Sequence, residues 1–186
     1  EANAQALGQL DDIRRGFAEA MQNQLQDMWK AKLGLTEFNP TLFKELLELM
    51  SYSEVDYTMF FRELSHIPDD VSALKKSFYV KTSKALDEKW QAWLTRWRGL
   101  VSVQGDLAAL AKQMKETNPK YIWREWLVVP AYQQAQGGDY ALIKELQDVF
   151  NQPYDEQTQA VENKYYRLKP KEFFNAGGVS HYSCSS

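Results

Sequence analysis

Cysteine is nearly absent: Cys184, third from the C-terminus, is the only one in 186 residues. A single thiol cannot close an internal bridge, so a disulfide-built secreted scaffold is excluded and a reducing intracellular compartment is expected. No apolar run approaches the roughly 20 residues that span a bilayer as a helix. An excess of charge of one sign is missing too, with 22 basic and 25 acidic residues interspersed and a net charge of -3. Such a balance offers no electrostatic footprint for nucleic acid or an anionic membrane. The opening Glu1-Ala2-Asn3-Ala4-Gln5 has no initiator Met, basic n-region or apolar h-region. It reads as the interior of a helix rather than a signal peptide, and the chain is expected to be a fragment of something longer.

Catalytic signatures are equally scarce. There is no Gly-rich phosphate loop of Walker or kinase type, no G-x-S-x-G elbow, no H-E-x-x-H and no paired-Cys zinc pattern. His181 lies three residues before Cys184, but two ligands do not make a zinc site. The expectation is that no catalytic, cofactor-binding or metal-binding residue lies in this stretch, and that it supports a site built elsewhere.

What is abundant is helical periodicity in an aromatic-rich chain with six Trp, ten Tyr and nine Phe. Leu10, Ile13, Phe17, Met21, Leu25 and Met28 form one apolar stripe, closed by Gly34 as a C′ residue. Asn39-Pro40 reads as an N-cap with proline at N1, opening a helix that buries Leu42, Phe43, Leu46, Leu47 and Met50. Val55, Met59, Phe60 and Leu64 predict a third helix ending before Pro68, and Pro68-Asp69-Asp70 a short helical turn. From Ala85 to Gly99 the next helix places Trp90, Trp93 and Trp97 on one face. Those indoles fit a core better than a base-stacking platform, because the net charge offers phosphates nothing. Asp106 caps a helix with Leu107, Leu110 and Met114, and Asn118-Pro119 repeats the cap-plus-proline signal. Pro130 is expected to kink or end that segment, and Asp139 to cap a helix with Leu142, Ile143, Leu146 and Phe150. Lys120, Arg124 and Glu125 read as capping plus a surface ion pair, and Tyr154-Asp155-Glu156 as a turn. Tyr165-Tyr166-Arg167 supplies aromatic contacts that could anchor the tail.

No alternating strand pattern and no fixed repeat is present. The fold class is all-α: an irregular multi-helix assembly over residues 1–156, then an extended tail over 157–186 ending in Ser-Cys-Ser-Ser. On composition alone, Cys184 is an incidental free thiol with an unperturbed pKa of about 8.5.

Several motifs in order carry a resemblance: Asn118-Pro119-Lys120-Tyr121-Ile122 with Arg124-Glu125, Gly138-Asp139-Tyr140, Pro153-Tyr154-Asp155-Glu156-Gln157 and Ser183-Cys184-Ser185-Ser186. Together they resemble the end of the selenoprotein O family. Lys32-Leu33-Gly34-Leu35, Asp56-Tyr57-Thr58, Phe61-Arg62 and Leu64-Ser65 fit it more loosely. The resemblance implies the C-terminal part of a protein-kinase-like fold and, for the parent, transfer of AMP from ATP to Ser, Thr or Tyr hydroxyls of proteins, with Mg or Mn. The nucleotide- and metal-holding residues of the family lie upstream of the stretch that matches, so none is carried over. Selenocysteine in some animal members, and cysteine in many others, stands where Cys184 stands, and the family's redox control is thought to involve it. A bridge to a cysteine in the missing kinase-like core is the implied partner. Mitochondria in eukaryotes and cytoplasm in bacteria are the implied locations, and the Arg124-Glu125-Trp126 wording with the Gly177-Gly178 tail favours a eukaryotic source. The other reading is a non-catalytic all-α interaction module whose tail binds a partner. A free-standing thiol oxidoreductase lacks its second cysteine.

Overall fold

A computed structural model of the chain describes residues 2–174, with side chains from residue 6 onward. Among these residues there is no strand, only an isolated bridge between Val55 and Phe78. The α-helices are α1 (Ala2–Leu33), α2 (Pro40–Ser53), α3 (Tyr57–Leu64), α4 (Lys84–Ser102), α5 (Leu107–Thr117), α6 (Glu125–Gln136), α7 (Ala141–Phe150) and α8 (Gln159–Tyr165). Short 3-10 turns lie at Val71–Ser77 and Lys171–Phe173. The all-helical expectation holds for the described part.

Helix ends follow local chemistry. Asn39 accepts from the Leu42 amide ahead of Pro40, Asp56 from Met59, Ser83 from Leu86 and Asp106 from Ala108 and Ala109. Each supplies an oxygen to an N–H that has no partner within its helix. Asp70 caps the 3-10 turn through Ser72, where Pro68-Asp69-Asp70 predicts a short turn. After α1 the backbone turns at Gly34 with φ 63°, and a Cβ there would lie 2.6 Å from the Met114 sulfur. Glycine is needed at this point for both the left-handed conformation and the close approach of α5.

Two hydrophobic cores result. The larger joins the end of α1, α2, α3, the first 3-10 turn, α4 and α5 around Leu33, Leu46, Phe60, Phe61, Leu64 and the three tryptophans. Trp90, Trp93 and Trp97 are fully buried, so the indole stripe is core. Each indole N–H also finds an acceptor: Ser53 Oγ at 2.8 Å for Trp90, Leu42 O at 2.9 Å for Trp93 and Leu33 O at 2.8 Å for Trp97. The acceptors sit at the C-terminal end of α2, the start of α2 and the end of α1, so one helix face fixes three helix ends. The smaller core gathers Trp126, Leu127, Ala131, Leu146, Val149, Tyr165 and Tyr166 from the second half, with Met59 inserted from α3.

Three expectations change. The stretch from Gln157 is not extended throughout, because α8 forms and its Tyr165, with the following Tyr166, is buried. Thr158 caps it through Val161, and the aromatic pair gives a short polar segment enough apolar surface to pack. Asn118-Pro119 does not open a helix. Asn118 ends α5, and the Lys120 and Tyr121 amides both donate to Pro153 O, at 2.7 and 3.0 Å, in place of helical partners. Finally, α6 does not end at Pro130 but runs through it to Gln136, with Trp126, Leu127 and Ala131 buried on either side.

The stripe on α1 has the expected period, yet it lies open. Leu10, Ile13 and Phe17 are 61%, 68% and 66% exposed, and Met21 and Leu25 about half, while only the last turns, through Trp29 and Leu33, join the core.

Candidate functional site

A seam of charged side chains separates the two cores, and α3 supplies its centre. Positions 59–64 of α3 are all buried, so its polar residues cannot reach bulk water and must be paired. Arg62 donates to the carbonyls of Lys115 and Asn118 at 3.0 and 3.1 Å, to Tyr154 O at 3.0 Å and to Glu156 Oε1 at 2.6 Å. One guanidinium thereby ties α3 to the end of α5 and to the turn after α7. Lys120 donates to Glu156 Oε2 at 2.7 Å and to Glu162 Oε2 at 2.8 Å, linking that turn to α8. Burial pushes the Glu156 carboxyl up, but the hydrogen bonds from Lys120 and Arg62 outweigh it and hold its pKa at about 2. For Lys120 burial pulls the pKa down, and the two glutamates more than reverse it.

Asp56 makes the second junction. Besides capping α3 it accepts both terminal nitrogens of Arg124, with Nη2 at 2.8 Å from Oδ1, and the Tyr79 hydroxyl at 3.2 Å. Tyr79 in turn accepts the Lys169 amide at 3.2 Å, which draws residues past α8 onto the body. Tyr166 donates to Glu63 Oε1 at 2.6 Å, and burial followed by the Glu63 charge drives its phenol pKa far up. Lys120 and Arg124 are therefore buried members of this seam, not the surface ion pair expected from sequence. Glu156, which the sequence suggests only as part of a turn, is where the Arg62 and Lys120 bonds converge.

Beside the Asp56–Arg124 pair opens a cleft of about 380 Å³. Lys32, from the last turn of α1, projects into it over the rings of Phe61 and Tyr57, at 4.8 and 5.2 Å from their centroids. Its ammonium donates to Asn118 Oδ1 at 2.8 Å. Asn118, 1% exposed, also donates to Lys32 O at 2.9 Å and Ser65 Oγ at 3.0 Å, so its amide is fixed. Desolvation lowers the Lys32 pKa to about 8 and raises that of Tyr57 to about 12. The sequence places Lys32 only within a loose family motif. Its signal, a lysine beside aromatic partners, appears only when α3 folds against α1.

Cys184 and His181 lie outside the described residues. Among the described residues, no group of three or more His, Cys, Asp or Glu is placed to hold a metal ion. No helix there is long and apolar enough to cross a membrane.

Against this geometry, the similarities to known proteins are specific. A family model described as protein adenylyltransferase SelO matches residues 4–151. The protein nucleotidyltransferase YdiU of Aromatoleum aromaticum is 32% identical over 180 residues, covering 91% of this chain and 34% of that one. The YdiU of Cupriavidus metallidurans is 34% identical over 183 residues, covering 95% of this chain and 31% of its own. That of Tolumonas auensis is 32% identical over 178 residues, covering 91% and 34%. The chain spans about a third of the length of these bacterial relatives.

Proposed function

The chain belongs to the protein adenylyltransferase SelO family, and on that premise we propose that it is the helical C-terminal segment of an enzyme that transfers AMP from ATP to Ser, Thr or Tyr hydroxyls of proteins. In that reaction the acceptor oxygen attacks the α-phosphorus, pyrophosphate leaves and the hydroxyl proton is given up. In this reading the enzyme's kinase-like core, with the residues that hold nucleotide and Mg or Mn, lies outside this chain, which spans about a third of the relatives' length. The described residues support that chemistry without touching the reacting atoms.

The observation that carries this reading is the family match across residues 4–151. The seam's carboxylates and cations are engaged with one another, which fits a supporting part. The segment's part is to pack on the kinase-like core and present the tail. The open stripe of α1, from Leu10 to Leu25, is the face offered to that core. An apolar row of this length is unusual on a finished surface and marks an interaction site. Cys184 then reports redox state by closing a disulfide with a cysteine of the core, two electrons passing to an external oxidant. Location follows the source: cytoplasm in a bacterium, mitochondrion in a eukaryote.

The test incubates the full-length parent, and this chain as control, with a protein acceptor and ATP labelled at the α- or γ-phosphate. Acceptor labelling from α only, by the parent and not the chain, is expected. Labelling from γ means a kinase instead. No transfer under any metal or redox condition leaves an all-α interaction module as the function.

A further inference from the structure

The cations of the seam differ from Lys32 in one respect. Arg62, Lys120 and Arg124 each meet a carboxylate directly. Among the described residues no carboxylate pairs with Lys32, and one neutral amide oxygen is its hydrogen-bond partner. An ammonium carries three donors, so among the described residues two of its N–H groups have no acceptor in a cleft walled by Phe61, Tyr57, Pro119 and Ile122. Desolvation without a counter-charge is the costly state of a cation, and the lowered pKa agrees with it.

We propose that the Lys32 cleft binds a carboxylate borne on an aromatic or aliphatic group, with the ammonium holding the carboxylate and the Phe61–Tyr57 wall holding the apolar part. Charge selects the class of ligand. The neighbouring Arg124 is neutralised by Asp56, which takes both of its terminal nitrogens, so the cleft has one net positive charge. A monoanion matches it. Inorganic phosphate, a mixture of mono- and dianion near neutral pH, is strongly hydrated on every face and has no apolar part to set against these walls. Size agrees as well, because about 380 Å³ lies at the small end of ligand sites. The same chemistry is available from a free organic acid or from an acidic side chain on a peptide. This inference is independent of the adenylyltransferase reading.

The test follows the Lys32 side-chain NMR signals of the intact chain during titration with phenylacetate, phenylacetamide, inorganic phosphate and an N-acetyl-Phe-Glu-amide peptide. Saturable binding of phenylacetate or the peptide is expected, with the Lys32 pKa rising from about 8 toward its ordinary 10.5. Tighter binding of the peptide identifies a polypeptide source, and tighter binding of phenylacetate a free acid. Phenylacetamide should bind at least tenfold more weakly, and Lys32→Arg should retain binding that Lys32→Met loses. Equal binding of acid and amide, preference for phosphate, or no saturable shift with either carboxylate overturns the proposal. The titrations of the unaltered chain decide between these outcomes even if a variant misfolds.

Discussion

The guanidinium of Arg62 and the carboxylate of Glu156, 94 residues apart in the chain, meet at 2.6 Å with very different access to water. The arginine side chain is 1% exposed and the glutamate 52%. Their loss should therefore cost different amounts. Arg62→Met strands the buried Asn118 carbonyl and two partly buried ones, while the glutamate keeps Lys120, and about 3 kcal/mol of stability should go with it. Glu156→Gln leaves Arg62 its carbonyls and should cost about 1 kcal/mol, since its own side is screened by solvent. Urea midpoints of the two variants test this, and equal losses would contradict the asymmetry.

Acid should weaken the same junction. Glu156 has a folded pKa of about 2 against an ordinary 4.5. A depressed carboxylate stabilises fully above its unfolded pKa and loses that contribution as pH falls toward the folded one. The stability gap between the native chain and Glu156→Gln should accordingly narrow from pH 5 to about pH 2. Denaturation at several pH values would reveal a constant gap if the carboxylate charge were irrelevant.

Lys32 gives a slope of the same sign in a separate, alkaline window. Its folded pKa, about 8, lies below the ordinary 10.5, so the unfolded chain binds more protons between those values. Stability should rise with pH across that interval in the native chain relative to Lys32→Met. Parallel melting curves over the interval would rule this out.

Trp97→Phe keeps an aromatic ring but removes the donor that satisfies Leu33 O at 2.8 Å. A buried carbonyl left without its partner costs about 1–3 kcal/mol. The same substitution at the half-exposed Trp123, paired with Phe150 rather than an acceptor, should be near neutral. Thermal unfolding of both variants makes the comparison.

On the proposed docking of α1, Phe17→Glu should change the stability of this chain by less than about 0.5 kcal/mol, because Phe17 is 66% exposed. In the full-length parent it should loosen the segment, seen as faster proteolysis after α1. Likewise Cys184→Ser should leave folding unchanged and abolish the oxidant sensitivity of the parent's AMP transfer. An unaltered oxidant response would remove the redox proposal.

Helices and caps are legible in the sequence because they are local. Asn39 and Asp106, the caps that the sequence points to, each serve an amide two or three residues on, and Asp56 and Ser83 do the same without being singled out by the pattern around them. The tryptophan face is legible for the same reason, since its period lies within one helix. The seam is not. Arg62 finds its partners 53 to 94 residues away, and nothing near it in sequence distinguishes it from a solvated arginine. Asn118 misleads because an asparagine before proline is an N-cap signal, yet here its side chain is consumed by Lys32 and Ser65. The same limit applies to α8, whose short polar sequence is fixed by Tyr166 reaching Glu63.

Helix α3 is only eight residues long, yet Phe60, Phe61 and Leu64 belong to one core and Met59 to the other. Neither core can dissolve while the other keeps α3 in place. The residues of the two cores should thus melt in one cooperative transition, and the amides of α3 should exchange with solvent only when both cores open. Since so short a helix has little stability alone, its persistence is a direct readout of whether both cores are in place.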